Sequence, residues 1–155
     1  MKHLAVQVRE LPLAVDTFGG THLQAHLFLH DFGLNGPERL LERLNDNEPF
    51  LPLRPPEGKV QLWRKGALLR LKSLLPLPEL KEYEDLAVPR AAVQIRLTNG
   101  QILEGRLFLL LPSTNGRVSD LLNRPERFLL MEAPDGILAL NKDGFESVHP
   151  IDGAE

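Results

Sequence analysis

Three histidines, His22, His26 and His30, recur every four residues and are the first candidates for chemistry, because imidazoles brought together can ligate zinc. Four-residue spacing converges on a helix. On a strand it separates neighbours by about 13 Å, at roughly 3.3 Å per residue, too far for one ion with bonds near 2 Å. Ser113, Ser119, His149 and nearby carboxylates include the residue types of a nucleophilic triad, but no Gly-x-Ser-x-Gly elbow presents a nucleophile. Glu38, Glu42, Glu57 and Asp135 have the spacing of helix-start, solvated-face and turn residues rather than of paired acid and base. The remaining cluster is basic: Arg64 and Lys65, with Arg70 and Lys72, stand beside Trp63. A stacking aromatic among cations is what single-stranded nucleic acid requires. These residues are the nucleic-acid candidates, and no catalytic, metal or cofactor site is expected.

The elements that would carry these residues are written twice. Gly20, Leu23 and Leu27-Phe28-Leu29 reappear 80 positions later as Gly100, Leu103 and Leu107-Phe108-Leu109. After a two-residue shortening the match resumes 78 positions later: Asn45 with Asn123, Phe50-Leu51 with Phe128-Leu129, and Gly58 with Gly136. In the same register Leu62 matches Leu140 and Gly66 matches Gly144. What recurs is glycine, leucine and an Asn-Phe-Leu junction, all residues of a fold, whereas the charged residues differ between copies. The histidine positions become Ile102, Arg106 and Leu110 in the second copy, and among the four cations only Arg64 has a basic counterpart, Lys142.

Within each copy the patterning alternates. Val93, Ile95 and Leu97 face one side and Gln94, Arg96 and Thr98 the other, which predicts a half-buried strand in register with residues 13–17. Asn99-Gly100 and Gly19-Gly20 are hairpin turns, since both tolerate the positive φ that such a turn demands. The returning strands carry Leu23, Ala25, Leu27 and Leu29, or Leu103, Gly105, Leu107 and Leu109, on one face. Gly105 marks a close approach, and Phe28 and Phe108 point to cover on the opposite face. Residues 37–45 and 117–123 have apolar residues at helical spacing, the first with Pro37 at its start. Strands are predicted next at 50–53 and 59–63, and at 128–131 and 137–141, each set followed by a short last strand. Leu4 to Val8 reads as an extra N-terminal strand that Pro12 interrupts. Residues 73–90, with Pro76, Pro78 and Pro89, read as an extended strap lying against the protein.

The fold class expected is mainly β (α+β): two tandem repeats, each strand-strand-helix-strand-strand with a short last strand, packed with pseudo-two-fold symmetry. The units are 1–72, with the extra strand, and 91–155, joined by the strap at 73–90. Units of roughly 60 residues bury little surface alone and are expected to pack on each other or on another chain.

Residues 95–107, Ile-Arg-Leu-Thr-Asn-Gly-Gln-Ile-Leu-Glu-Gly-Arg-Leu, resemble the first signature of the Sm-like (LSm) barrels. Residues 138–150, Leu-Ala-Leu-Asn-Lys-Asp-Gly-Phe-Glu-Ser-Val-His-Pro, are similar to the second. The resemblance implies a small, strongly bent barrel of the SH3-like kind. It does not carry RNA binding over. In that family the helix precedes the first strand, and an Asp/Asn loop with an Arg/Lys-Gly pair binds uridine-rich RNA. Here the loop is replaced by residues 110–116, and the pair survives only as Lys142-Asp143-Gly144 or Arg64-Lys65-Gly66.

Composition narrows the partners. With 43% hydrophobic and 25% charged residues the chain is globular rather than disordered. A net charge of −3 does not describe a general phosphate-binding surface, and the absence of cysteine removes disulfides and thiol chemistry. No segment has the length of a membrane span or the form of a secretory leader, so the cytoplasm is the expected compartment. The expected function is a non-enzymatic protein-interaction or assembly module, with a protein partner or a second copy as its target. An RNA-binding Sm-like derivative is the alternative.

Overall fold

The computed structural model describes residues 8–31, 36–113 and 115–151. Its elements are β1 (Val8–Thr17), β2 (His22–His30), α1 (Leu40–Asn45), β3 (Phe50–Leu53), β4 (Gln61–Arg64) and β5 (Leu68–Ser73), then α2 (Glu79–Asp85). There follow β6 (Arg90–Leu97), β7 (Ile102–Phe108), α3 (Val118–Leu122), β8 (Phe128–Ala133), β9 (Gly136–Asn141) and β10 (Phe145–Pro150). One turn of 3₁₀ helix, Lys65–Ala67 or Lys142–Gly144, precedes β5 and β10. The protein is mainly β. Eight antiparallel strands form one sheet in the order β10-β6-β7-β8-β9-β5-β1-β2, and β3 and β4 form a second, two-stranded sheet. The second is tied to the first by a bridge between His26 and Arg54.

The alternation along β1 places Leu11, Leu13 and Val15 inside, and β2 adds Ala25, Leu27 and Leu29. Gly20 and Gly100 close their hairpins at φ values of 88° and 90°, where a Cβ would be strained. A Cβ on Gly105 would lie 2.5 Å from the Glu132 carbonyl oxygen, so this position lets β7 and β8 meet. Phe28 is covered by Arg54, 5.3 Å above its ring. Phe108 is buried, with Tyr83 at 5.9 Å.

Three expectations are corrected. Pro12 does not interrupt a strand: β1 runs through it, opposite His26. In a strand, a residue's N–H and C=O point to the same side. The Pro12 carbonyl accepts the Leu74 N–H at 3.0 Å, just past the end of the β1–β5 ladder at Ser73, so the missing donor costs no ladder bond. Residues 4–7 of the proposed extra strand lie outside the described residues.

The segment 73–90 is not wholly extended either, because it contains α2. Its prolines all fall outside the helix, and Glu79, Leu80 and Tyr83 turn one side inward. The buried Glu79 carboxylate accepts the Leu40 N–H at 2.8 Å, satisfying a donor at the start of α1. Glu82 takes the Arg39 guanidinium, at distances down to 2.7 Å, and fixes α1 to α2. Pro37 likewise lies before α1 rather than in its first turn.

The core has two parts. One is built from β1, β2, α1, β3 and β5, with Leu77 and Tyr83 from the connecting segment and Phe108, Phe128, Leu130 and Ala139 from the C-terminal half. The other is built from β6, β7, α3, β8 and β9, with Leu69 of β5. The halves therefore share side chains as well as a sheet.

Candidate functional site

The hairpin of β3 and β4 turns at residues 55–58, where Gly58 has a φ of 123°. Its inner face carries Leu51 and Leu53, both fully buried. β4 pairs with β3 alone, from Leu53–Gln61 to Phe50–Arg64, and its other edge meets no strand among the described residues. Such an edge presents unpaired N–H and C=O groups. The outward face of the hairpin is also apolar: Leu62 is 68% exposed, Val60, just before β4, 51%, and Phe50, on β3, 41%.

The five nucleic-acid candidates do not form one patch. Trp63 is half-buried against the first core, and its indole N–H donates to Gln61 at 3.1 Å. Arg64 lies 4.5 Å over the exposed Phe50 ring. Lys65 is 3% exposed, with its ammonium held by Asp46. Arg70 pairs with Asp16 at 2.9 Å and Lys72 with Asp135 at 3.1 Å, both on β5, away from the hairpin. Three of the four cations are thus each engaged by a carboxylate.

The histidines are likewise separated. His22 hydrogen-bonds Asp16, His26 lies 3.5 Å from Glu10, and His30 is exposed. No group of three His, Asp or Glu side chains among the described residues is arranged to hold a metal ion. Ser113 accepts the Asn115 N–H at 3.2 Å in a turn, Ser119 lies within α3, and His149 pairs with Ser147 at 3.0 Å on the exposed side of β10.

No family model, curated protein or solved structure matches this chain. Its own contacts therefore have to carry the reading, and the most informative is at the boundary between halves. The Asn45 amide donates to the Phe128 carbonyl at 3.1 Å, and the Phe128 N–H donates to the Asn45 Oδ1 at 2.9 Å. Beside it, β5 pairs with β9. The fully buried Asn141 donates to the Leu68 carbonyl at 2.9 Å and accepts the Asp143 N–H at 2.9 Å. The pairing between strands, and the role of Asn141, were not predictable from residue types alone. The recurrent Asn and Phe were visible in the sequence, but their being each other's partners was not.

Burial raises the Asp16 and Asp46 carboxyls, but hydrogen bonds from His22 and Arg70 to the first, and from Lys65 to the second, outweigh it and hold both below the ordinary carboxylate value. A carboxylate so held stabilises the fold fully above its unfolded value, near 4, and loses that contribution as pH falls through the lowered one. Urea midpoints should therefore fall below about pH 4, and Asp16→Asn with Asp46→Asn should flatten that fall.

Proposed function

We propose that the chain is a non-enzymatic assembly module built from two copies of one β-rich unit, which docks a protein partner or a second copy of itself through an exposed strand edge. The observation that carries this is the outer edge of β4, unpaired among the described residues, on a hairpin whose outward face exposes Leu62, Val60 just before β4, and Phe50 of β3. Edges of this kind invite strand addition, and natural proteins normally blunt them with charge, proline or a covering segment.

The duplication is supported by the recurrence of individual hydrogen bonds. Thr17 to Thr21 corresponds to Leu97 to Gln101, Phe18 to Ala67 corresponds to Thr98 to Gly144, and Leu74 to Pro12 corresponds to Ile151 to Ala92. Lys65 to Pro49 corresponds to Lys142 to Arg127. The element order and the bulge where β5 and β10 join their neighbours recur as well. A pseudo-two-fold relation between the copies and the bent-barrel shape belong to the same proposal, as does a cytoplasmic setting. No helix among the described residues is long and apolar enough to cross a membrane.

The RNA reading rests on Trp63 and Arg64, since Lys65, Arg70 and Lys72 are already paired. It requires salt-sensitive binding to single-stranded RNA that Trp63→Ala and Arg64→Glu weaken. Light scattering of the purified chain distinguishes the two readings: a particle heavier than 17.4 kDa without RNA supports assembly. A monomer at tens of micromolar that shifts on adding RNA at low salt favours the alternative.

A further inference from the structure

The chain already contains one junction between its halves. β5, the last strand of the first half, pairs with β9, the fourth strand of the second, in the register Arg70–Leu140, Leu71–Ala139 and Lys72–Leu138. Their counterparts are unused. Among the described residues β4, the fourth strand of the first half, has only β3 beside it, and β10, the last strand of the second, has only β6. We infer that β4 of one chain pairs with β10 of a second copy, so that the protein assembles head to tail by repeating its own internal junction. This deepens the assembly reading and rests on it.

The ladders set the register. Phe50–Arg64 and Leu53–Gln61 correspond to Phe128–Asn141 and Met131–Leu138. Asp16–Arg70 and Val15–Leu71 correspond to Arg96–Ser147 and Ile95–Val148. Carried to the free edges, the internal pairing places Trp63 opposite Ser147, Leu62 opposite Val148 and Gln61 opposite His149. Burial follows the same logic. Ala139 is 0% exposed and Phe128 1% because the other half covers them, whereas their counterparts Leu62 and Phe50 are 68% and 41% exposed.

A second contact points to the same partner independently of the strands. Asn45 grips the backbone of Phe128 with two hydrogen bonds across the internal junction. The counterpart residues are Asn123, exposed at the end of α3, and Phe50, at the start of β3. No described residue hydrogen-bonds the Asn123 side chain within the chain, and the next copy would supply Phe50 at that position. The polar side chains agree as well. Lys72 pairs with Asp135 at the internal junction. Their counterparts, His149 and Glu57, would meet at the new one, and Arg64 would run towards Glu146.

Because the two surfaces differ, the contact is heterologous and closes into a ring or continues as a fibre according to the rotation between chains. Two variants change only exposed side chains: Leu62→Asp on the β4 edge, and the double variant Asn123→Asp, His149→Glu at the β10 end. Circular dichroism of each variant should match the parent chain, and at concentrations low enough to keep the parent monomeric the melting temperatures should match as well. In sedimentation velocity the parent should run as an assembly of two or more chains, and each variant alone as a monomer. An equimolar mixture of the variants should give a two-chain particle, because each retains the surface the other lacks. A parent chain that is monomeric at tens of micromolar, or a mixture that stays at one-chain mass, overturns the junction. Assemblies that persist undiminished in both variants also overturn it, while leaving the assembly reading itself standing through another face.

Discussion

Replacing Phe128 by alanine is expected to lower the free energy of unfolding by about 3–5 kcal/mol, the usual cost of removing a fully buried phenylalanine. Phe128 belongs to β8 in the C-terminal half, yet it is 1% exposed and packs in the core formed chiefly by the N-terminal half. The cavity would open where Asn45 holds the same residue's backbone, so the neighbours are pinned and cannot collapse into it. The counterpart Phe50 is 41% exposed, and Phe50→Ala in the monomer should cost less than about 1 kcal/mol. Urea unfolding of both variants measures the difference. Equal losses would mean that the halves do not interlock as described.

Asn141→Ala should cost about 2–4 kcal/mol, since it leaves the Leu68 carbonyl and the Asp143 N–H without partners and each buried orphan costs about 1–3 kcal/mol. Asn141 is fully buried between β9 and β5, so its amide joins the halves and also fixes the turn of 3₁₀ helix that follows. The residue at the corresponding place, Arg64, is exposed and stacks on Phe50, and Arg64→Ala should change the stability by less than about 1 kcal/mol. Thermal melts of the two variants at neutral pH check the contrast. A small loss for Asn141→Ala would show that other groups or solvent satisfy these positions.

Much of the fold was legible because its determinants are local. Glycines at 20 and 100 mark turns, alternation over 93–97 marks a strand, and leucines at 40 and 44 mark a helix face. Other features depend on neighbours that a pattern does not name. Pro12 could remain in β1 because the adjoining ladder ends there. The helix α2 was concealed by three prolines, although none lies inside it and Leu80 and Tyr83 have helical spacing. The match of Leu62 with Leu140 was one residue out of register: the ladders put Trp63 with Leu140 and Lys65 with Lys142, after an extra residue in the first turn. That slip matters to the candidate site. It gave Arg64 a basic counterpart that belongs to Lys65, whose ammonium is buried and paired with Asp46 just as that of Lys142 is held by the carbonyls of Leu122 and Arg124. A cation occupied in this way in both halves is a structural tie, not a surface charge.

Amide hydrogen exchange at Leu62 and Arg64, whose N–H groups face away from β3, compared between the parent chain and Leu62→Asp, reads the free edge directly. Pairing with a second copy predicts slow exchange of these two amides in the parent at tens of micromolar, and fast exchange on dilution or in the variant, with β9 protected in every case. Equally fast exchange at Leu62 and Arg64 under all of these conditions would show that the β4 edge stays open to water and would contradict assembly through it.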